Sequence, residues 1–184
     1  MSQGDHRADR QGDGLLGTLL KGAAAGAAAM WVLDRVDWAM WDAEASETRA
    51  QTRRARPGGL DPAHVAANRI AGAMGRELNP PQPHPAGLAL HYSFGMVPTL
   101  AYAVLRHRHP AVAAGGGTLW GLAMTLIEDE GINPALGLAA PPQHYPWQDH
   151  ARSVVAHAVL GAVAEGVLRA LDGPPGRPRR LVAP

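Results

Sequence analysis

The sequence predicts an all-α integral membrane protein with about four transmembrane helices in a small bundle, plus one short amphipathic helix. The first observation is that four stretches are long and apolar, at residues 15–33, 86–105, 111–127 and 150–171. About 20 apolar residues cross a bilayer core. The second is composition. Apolar types make up 46% of the 184 residues, yet alanine and glycine dominate and there is one Phe. This is poor material for a dense soluble core, whereas small residues let helices pack closely in lipid.

The first span, residues 15–33, contains one charge, Lys21, near its start, from where a long side chain reaches the interface. Gly22 and Gly26 form a G-x-x-x-G motif, which is typical of a close-packing helix face. Residues 1–14 form a polar tail of mixed charge. Because a secretory signal needs a positive start and a shorter apolar run, a retained span is the better interpretation.

Residues 42–85 are predicted to form an extramembrane loop that contains one short helix at 62–78. Asp61 suits the N-cap position and Pro62 suits the first helical position. The helix is only weakly amphipathic and too polar to span, so we expect it outside the bilayer core or on the membrane surface.

The remaining spans also contain helix-packing and pairing signals. Span 86–105 has no formal charge, and Pro98 should kink it, which membrane helices tolerate. A second G-x-x-x-G motif, at Gly117 and Gly121, lies in span 111–127. In the fourth span, Glu165 and Arg169 are spaced to pair on one face, and residues 173–184 form a tail rich in Pro and Arg.

Basic residues in short connections predict that both termini are cytoplasmic. Arg106 and Arg108 lie in the tight connection between the second and third spans, and no Lys or Arg occurs from Glu128 to Gln148. The arginines of residues 42–60 conflict with this orientation, although long loops count less. There is one Lys among 17 basic residues, and the chain is rich in Ala, Gly and Pro, as in proteins of high-GC bacteria. We therefore expect a bacterial protein.

This topology brings titratable residues from all four spans to one side of the membrane. Charged groups at the edge of a bilayer are costly, so such a cluster is a functional-site hypothesis. The candidate residues are Asp34, Asp37, His91, Glu128, Asp129, Glu130, His150 and His157.

Several kinds of chemistry fit such a cluster. His91, His157 and Glu128 are candidate metal ligands, although no diagnostic ligand spacing is present. A proton or ion relay uses the same residue types. Haem held by His91 and His157 is a third possibility, with Gly95 and Gly161 making room one turn on. The structural alternative is that these side chains only tie helices together.

Other functions are disfavoured by composition. A net charge of +1 gives no reason to expect a nucleic-acid partner, and the absence of Cys excludes disulfides and thiolate chemistry. Ser153 lies beside two histidines but lacks the G-x-S-x-G context of a hydrolase. We therefore do not expect an enzyme.

The C-terminal half, about residues 85–170, resembles the YagU-like bacterial inner-membrane proteins, a family of unknown function. The resemblance implies an integral membrane protein with about four helices and brings no catalytic role. It is carried by His91-Tyr92-x-Phe94-Gly95, by Glu128-Asp129-Glu130 with Asn133-Pro134-Ala135-Leu136-Gly137-Leu138, and by Pro141-Pro142, Tyr145-Pro146-Trp147, His150 and His157.

The sequence thus predicts an uncharacterised multi-pass inner-membrane protein whose outer-face cluster handles protons or a metal ion. Its first partner is the lipid bilayer. The first alternative is a structural or interaction subunit of a membrane complex, or a homo-oligomer, without chemistry of its own, which the glycine motifs favour. The second is a soluble helical bundle, which the mean hydropathy of −0.14 favours.

Overall fold

The computed structural model describes the backbone of residues 5–173 and the side chains of residues 14–173. Of the predicted tails, residues 1–4 and 174–184 and the side chains of residues 5–13 lie outside the described residues, whereas the backbone of residues 5–14 is the start of the first helix. The described part is helical and contains no strand, which confirms the all-α prediction. Its α-helices are α1 (Asp5–Ala43), α2 (Ser46–Ala55), α3 (Pro62–Ala73), α4 (Pro85–Arg108), α5 (Thr118–Met124), α6 (Asn133–Ala135) and α7 (Trp147–Asp172).

Four segments of the described chain are long and apolar enough to cross a membrane, as the sequence predicts. They are Gly14–Ala43, Pro85–Arg108, Pro110–Ala135 and Trp147–Asp172. Apolar side chains that face outwards from them include Leu20, Trp31, Val97 and Leu119. Exposed apolar surface of this extent is unusual in a soluble monomer and suits contact with lipid. The protein is therefore a multi-pass membrane protein.

Successive spans run antiparallel. Near its start, α1 meets the end of α7, where Lys21 Nζ lies 2.8 Å from Asp172 Oδ1. Near its end, α1 meets the start of α4, where Asp34 Oδ1 lies 2.8 Å from His91 Nε2. We call the second of these the cavity end of the bundle and the first the opposite end.

The core is built from small side chains. Ala29 and Met30 of α1 pack against Ala156, Leu160 and Ala164 of α7. Such small residues bring helix backbones close together, which is how helices associate without a hydrophobic driving force between them.

Both glycine motifs are used inside the bundle. A Cβ added to Gly121 would lie 1.9 Å from the carbonyl oxygen of His157, and one added to Gly161 would lie 2.2 Å from that of Gly117. In the first span, a Cβ added to Gly22 of α1 would lie 3.0 Å from the Cβ of Ala103 in α4. A Cβ added to Gly26 would lie 3.2 Å from the Cα of Met96 in α4. These faces are therefore occupied by the chain's own helices, and they offer no surface to another subunit.

The segment between the first two spans holds more helix than the sequence indicates. Helix α1 continues to Ala43 and α2 follows it, whereas α3 ends at Ala73 rather than at residue 78. Gly75 stops α3, because it adopts a left-handed φ of 68°. The N–H of Arg76 then donates to the carbonyl of Ala71 at 2.8 Å, which closes the helix end.

The third span is interrupted, unlike the continuous helix expected over 111–127. Residues Pro110–Gly117 form 3₁₀ turns that break at Ala114, and Gly115, Gly116 and Gly117 all have positive φ. Glycine adopts this conformation without steric cost, so the break falls where three glycines occur together. After α5, the chain continues in π-helical turns from Thr125 to Ile132 and then in α6, so the span ends at Ala135.

Candidate functional site

A cavity of about 510 Å³ lies between the four spans at the cavity end. The last part of α1, the first part of α4, the π-helical turns and the first half of α7 form its walls. Loop residues between α2 and α3 and before α7 form its rim. All eight residues of the predicted polar cluster line this one cavity: Asp34, Asp37, His91, Glu128, Asp129, Glu130, His150 and His157.

One polar pair joins the first two spans. Asp34 is only 6% exposed, and its Oδ1 lies 2.8 Å from Nε2 of His91. Because a buried carboxylate without a partner is costly, the imidazole offsets part of the cost of placing Asp34 between helices. The pair fixes the side-chain position of His91 on the cavity wall.

Three consecutive carboxylates lie on the π-helical turns, and all of them reach the lining. Asp129 accepts a hydrogen bond from Ser153 Oγ, and Ser153 Oγ in turn lies 3.3 Å from Nδ1 of His157. Glu130 Oε1 lies 2.6 Å from Nδ1 of His150. These contacts tie the third span to α7 through carboxylate, hydroxyl and imidazole side chains. π-Helical turns are rare and occur frequently at functional sites.

Glu128 differs from its neighbours. Among the described residues, no hydrogen-bond or ion-pair partner contacts its carboxylate. It nevertheless lines the cavity, as do the apolar side chains of Met124 and Leu160. A carboxyl group in that position either carries a proton or attracts a cation, because an unpaired negative charge within a membrane span is costly.

Arg152 is the functional residue of the cavity that the sequence analysis misses. Its side chain is 4% exposed and donates to three carboxylates: from Nε to Asp37 at 2.8 Å, from Nη1 to Glu44 and from Nη2 to Asp149. Its guanidinium carbon also lies 4.9 Å from the centroid of the Trp41 ring. One signal was available, because Arg152 is the only Lys or Arg between Arg108 and Arg169 and lies inside a predicted span.

The rim is held by two further groups of contacts outside the spans. Asp61 caps α3 by accepting from the N–H of His64, and its other oxygen lies 2.7 Å from Nδ1 of the same residue. His64 Nε2 then accepts from the N–H of His84 at 3.0 Å, which joins α3 to the start of α4. On the other side of the rim, burial raises the pKa of Tyr145, so its hydroxyl stays neutral and accepts from the N–H of Ala140.

The arrangement does not assemble the expected metal ligands. Among the side chains of residues 14–173, no group of three or more His, Asp or Glu residues is placed to hold a metal ion. His91, His157 and Glu128 line the same cavity, but His91 pairs with Asp34 whereas His157 contacts Ser153.

The two glycines expected to make room for haem face protein atoms instead. A Cβ on Gly95 would lie 1.9 Å from Met30 Sδ, and Gly161 is in contact with the backbone of Gly117. The space beside each glycine is therefore filled by α1 and by the third span.

A second polar network closes the opposite end. Glu165 is 3% exposed and accepts from the Tyr102 hydroxyl at 2.7 Å and from Arg106 Nε at 2.8 Å. The predicted pair with Arg169 also forms, at 2.6 Å. Arg106 Nη1 donates further to Asp172 at 2.6 Å. Every charge in this network has an opposite partner, so it ties α4 to α7 and leaves no unpaired group.

Comparison with known proteins supports a domain of unknown function over the same part of the chain. No curated protein and no solved structure matches the chain. Residues 80–166, which carry α4, the third span and most of α7, match the model of a family described as "Protein of unknown function (DUF1440)".

Proposed function

We propose that this membrane protein handles protons in the cavity at one end of its bundle. The observation that carries the proposal is Glu128, an unpaired carboxyl group on the wall of a membrane-embedded cavity. It lies within a set of proton-exchanging side chains contributed by all four spans. Intramembrane Asp, Glu and His side chains are the usual material of proton relays.

The neighbouring pairs support proton exchange rather than a fixed metal site. A His–carboxylate pair such as Asp34–His91 keeps its hydrogen bond whichever group holds the proton. The Asp129–Ser153–His157 chain has the same property, since the hydroxyl can both donate and accept. A proton on Glu128 therefore has several acceptors in the lining of the same cavity. A metal ion would need at least three ligands at one point, and the described side chains do not converge in that way.

The proposal places the protein in a bacterial inner membrane, with the cavity on the outer face and both termini in the cytoplasm. The resemblance to YagU-like proteins supports the membrane. Arg106 and Arg108, which lie at the opposite end in a short connection, support the orientation. The cavity would then exchange protons with the outer compartment, while the network around Glu165 keeps the cytoplasmic side closed.

The test compares Glu128→Gln with Glu77→Gln, a matched control at an exposed position outside the spans. Infrared difference spectra of the detergent-purified protein, recorded during a pH titration, should contain a carboxylic C=O band that Glu128→Gln removes and Glu77→Gln retains. In weakly buffered solution with a dissolved pH indicator, the detergent-purified wild type should take up protons from the solvent after an acid step. Glu128→Gln should lower that uptake by the one proton that Glu128 carries.

His91→Ala provides an independent arm. It removes a possible acceptor from the cavity lining and leaves Glu128 unchanged, so proton uptake should slow while the Glu128 band persists. Spectra and uptake in Glu128→Gln that equal those of the wild type would reject the proposal. Circular dichroism and a melting curve of each variant establish that the fold is retained.

A further inference from the structure

We propose that the cavity binds an organic monocation with an apolar body, such as a substituted amine or a quaternary ammonium ion, at Glu128 in exchange for a proton. The inference rests on the proposed function, because the exchanged proton is the one assigned there to Glu128. It adds a ligand class that proton handling alone does not need.

The size of the cavity argues for a ligand larger than a proton or a water molecule. A volume of about 510 Å³ falls within the range of small-molecule sites, about 300–1,000 Å³. Such sites are mostly apolar and contain a few polar groups that fix the ligand's orientation. This cavity has both kinds of residue, since apolar and titratable side chains from all four spans line it.

The charge of the lining argues for a cation. Seven carboxylates and three guanidinium groups line the cavity, so negative charge is in excess when the histidines are neutral. Six of these carboxylates already have a partner within the chain, in the pairs of Asp34, Asp37, Asp61, Asp129, Glu130 and Asp149. Glu128 is the one left to bind a ligand, and a monovalent cation matches its single charge.

The apolar wall argues for an organic cation rather than an inorganic one. Met30, Leu33, Phe94, Met124 and Leu160 line the cavity and offer no oxygen ligand from their side chains. A hard inorganic ion needs several oxygens around it. An alkylated ammonium ion needs one counter-charge, and apolar and aromatic contact satisfies the rest of its surface. Phe94, the only Phe in the chain, is suited to that contact.

The exchange balances in charge. A protonated Glu128 releases one proton to the solvent, and the resulting carboxylate forms an ion pair with one monovalent cation. The net charge of the occupied cavity is the same before and after, so neither state leaves an unpaired charge within the membrane. The cation's binding should therefore release protons and should strengthen as pH rises.

The experiment uses full-length protein in detergent and measures binding by isothermal titration calorimetry. The probes are benzyltrimethylammonium, tetrapropylammonium and tetramethylammonium, with phenylacetate as an anion of similar apolar content. The wild type should bind at least one of the two larger cations, more tightly than tetramethylammonium, and should not bind phenylacetate. Titrations in buffers of different ionisation enthalpy should reveal proton release that accompanies binding.

The variants separate the site from the fold. Glu128→Gln should weaken binding at least tenfold, and Phe94→Ala should weaken it severalfold while proton uptake by the protein persists. Glu77→Gln should bind like the wild type. If none of the cations binds the wild type, or if Glu128→Gln binds as tightly, the inference is wrong.

The two proposals fail separately. Loss of the Glu128 infrared band and of proton uptake in Glu128→Gln, without binding of any probe, would leave proton handling in place and overturn the organic-cation site. Cation binding that depends on Glu128 but neither releases protons nor varies with pH would overturn the exchange and the proton-handling proposal together.

Discussion

Replacing Arg152 by Met should destabilise the protein more than any other single change at the cavity. The guanidinium is 4% exposed and is the only ion-pair partner of Glu44 among the described residues. Glu44 is 9% exposed at its side chain, and its second oxygen already lacks a partner. Breaking a buried ion pair by removing one member costs about 3–5 kcal/mol. Because the Asp37 side chain is 35% exposed, water can hydrate it once the guanidinium is removed. We therefore expect the loss in free energy of unfolding to be at the lower limit, about 3 kcal/mol.

The assay is equilibrium unfolding in mixed micelles of increasing SDS fraction, followed by circular dichroism. Arg108→Met is the matched control, because Arg108 is exposed and should change stability by less than about 0.5 kcal/mol. The double variant Arg152→Met/Glu44→Gln should recover at least half of the loss, since it removes the stranded charge. If Arg152→Met unfolds like Arg108→Met, or if Glu44→Gln gives no recovery, the buried-charge argument is refuted.

Three further variants test packing, the opposite end and the rim, again by unfolding in mixed micelles. Gly161→Ala should cost about 1–3 kcal/mol, because its Cβ would overlap the carbonyl oxygen of Gly117. On the same helix, a Cβ added to Gly166 would have no neighbour within 4 Å, so Gly166→Ala should raise the free energy of unfolding by up to about 1 kcal/mol. Equal effects of the two substitutions would contradict the close approach of Gly161 to Gly117. Tyr102→Phe removes a buried donor to a carboxylate and should cost about 1.5–3 kcal/mol; a loss below 0.5 kcal/mol would count against that bond. Asp61→Ala should cost about 0.5–2 kcal/mol and speed amide exchange at the start of α3 only; unchanged exchange there would argue against the cap.

Hydropathy and topology were sufficient to predict the spans and the place of the polar cluster. Four apolar stretches joined in alternating directions leave few arrangements, because each must cross the bilayer and return. Once the directions alternate, the end of the first span and the start of the second must lie at the same side. Asp34 and His91 meet for that reason, although 57 positions separate them.

Side-chain partners were not predictable in the same way. Arg152 pairs with Asp37 and Glu44, which lie more than 100 positions away in the sequence. Which carboxylates it can reach depends on how each helix is rotated about its axis and shifted along it. Hydropathy does not determine either quantity. The pairing of Tyr102 with Glu165 was missed for the same reason, whereas the local pair of Glu165 and Arg169 was predicted from helical spacing alone.

The irregular backbone of the third span was also beyond the sequence analysis. A glycine run such as Gly115–Gly117 permits a break but does not require one, since glycine also occurs within membrane helices. The break becomes favourable only when the following helix can approach Gly161 of α7 at backbone distance. The stabilising contact is between two helices, so the residues around the glycine run do not predict it.

The π-helical turns from Thr125 to Ile132 make the position of the carboxylates depend on chain length as well as on side-chain chemistry. A π turn holds more residues than an α turn, so deletion of one residue there would let an ordinary helix form. The chain after the segment would keep nearly its present orientation, because the wide turns had absorbed the extra residue. The carboxylates within the segment would take up different positions around the helix, so the cavity wall would change without any change in their identity. Homologous chains that use this wall in the same way should therefore accept substitutions in the segment far more readily than insertions or deletions.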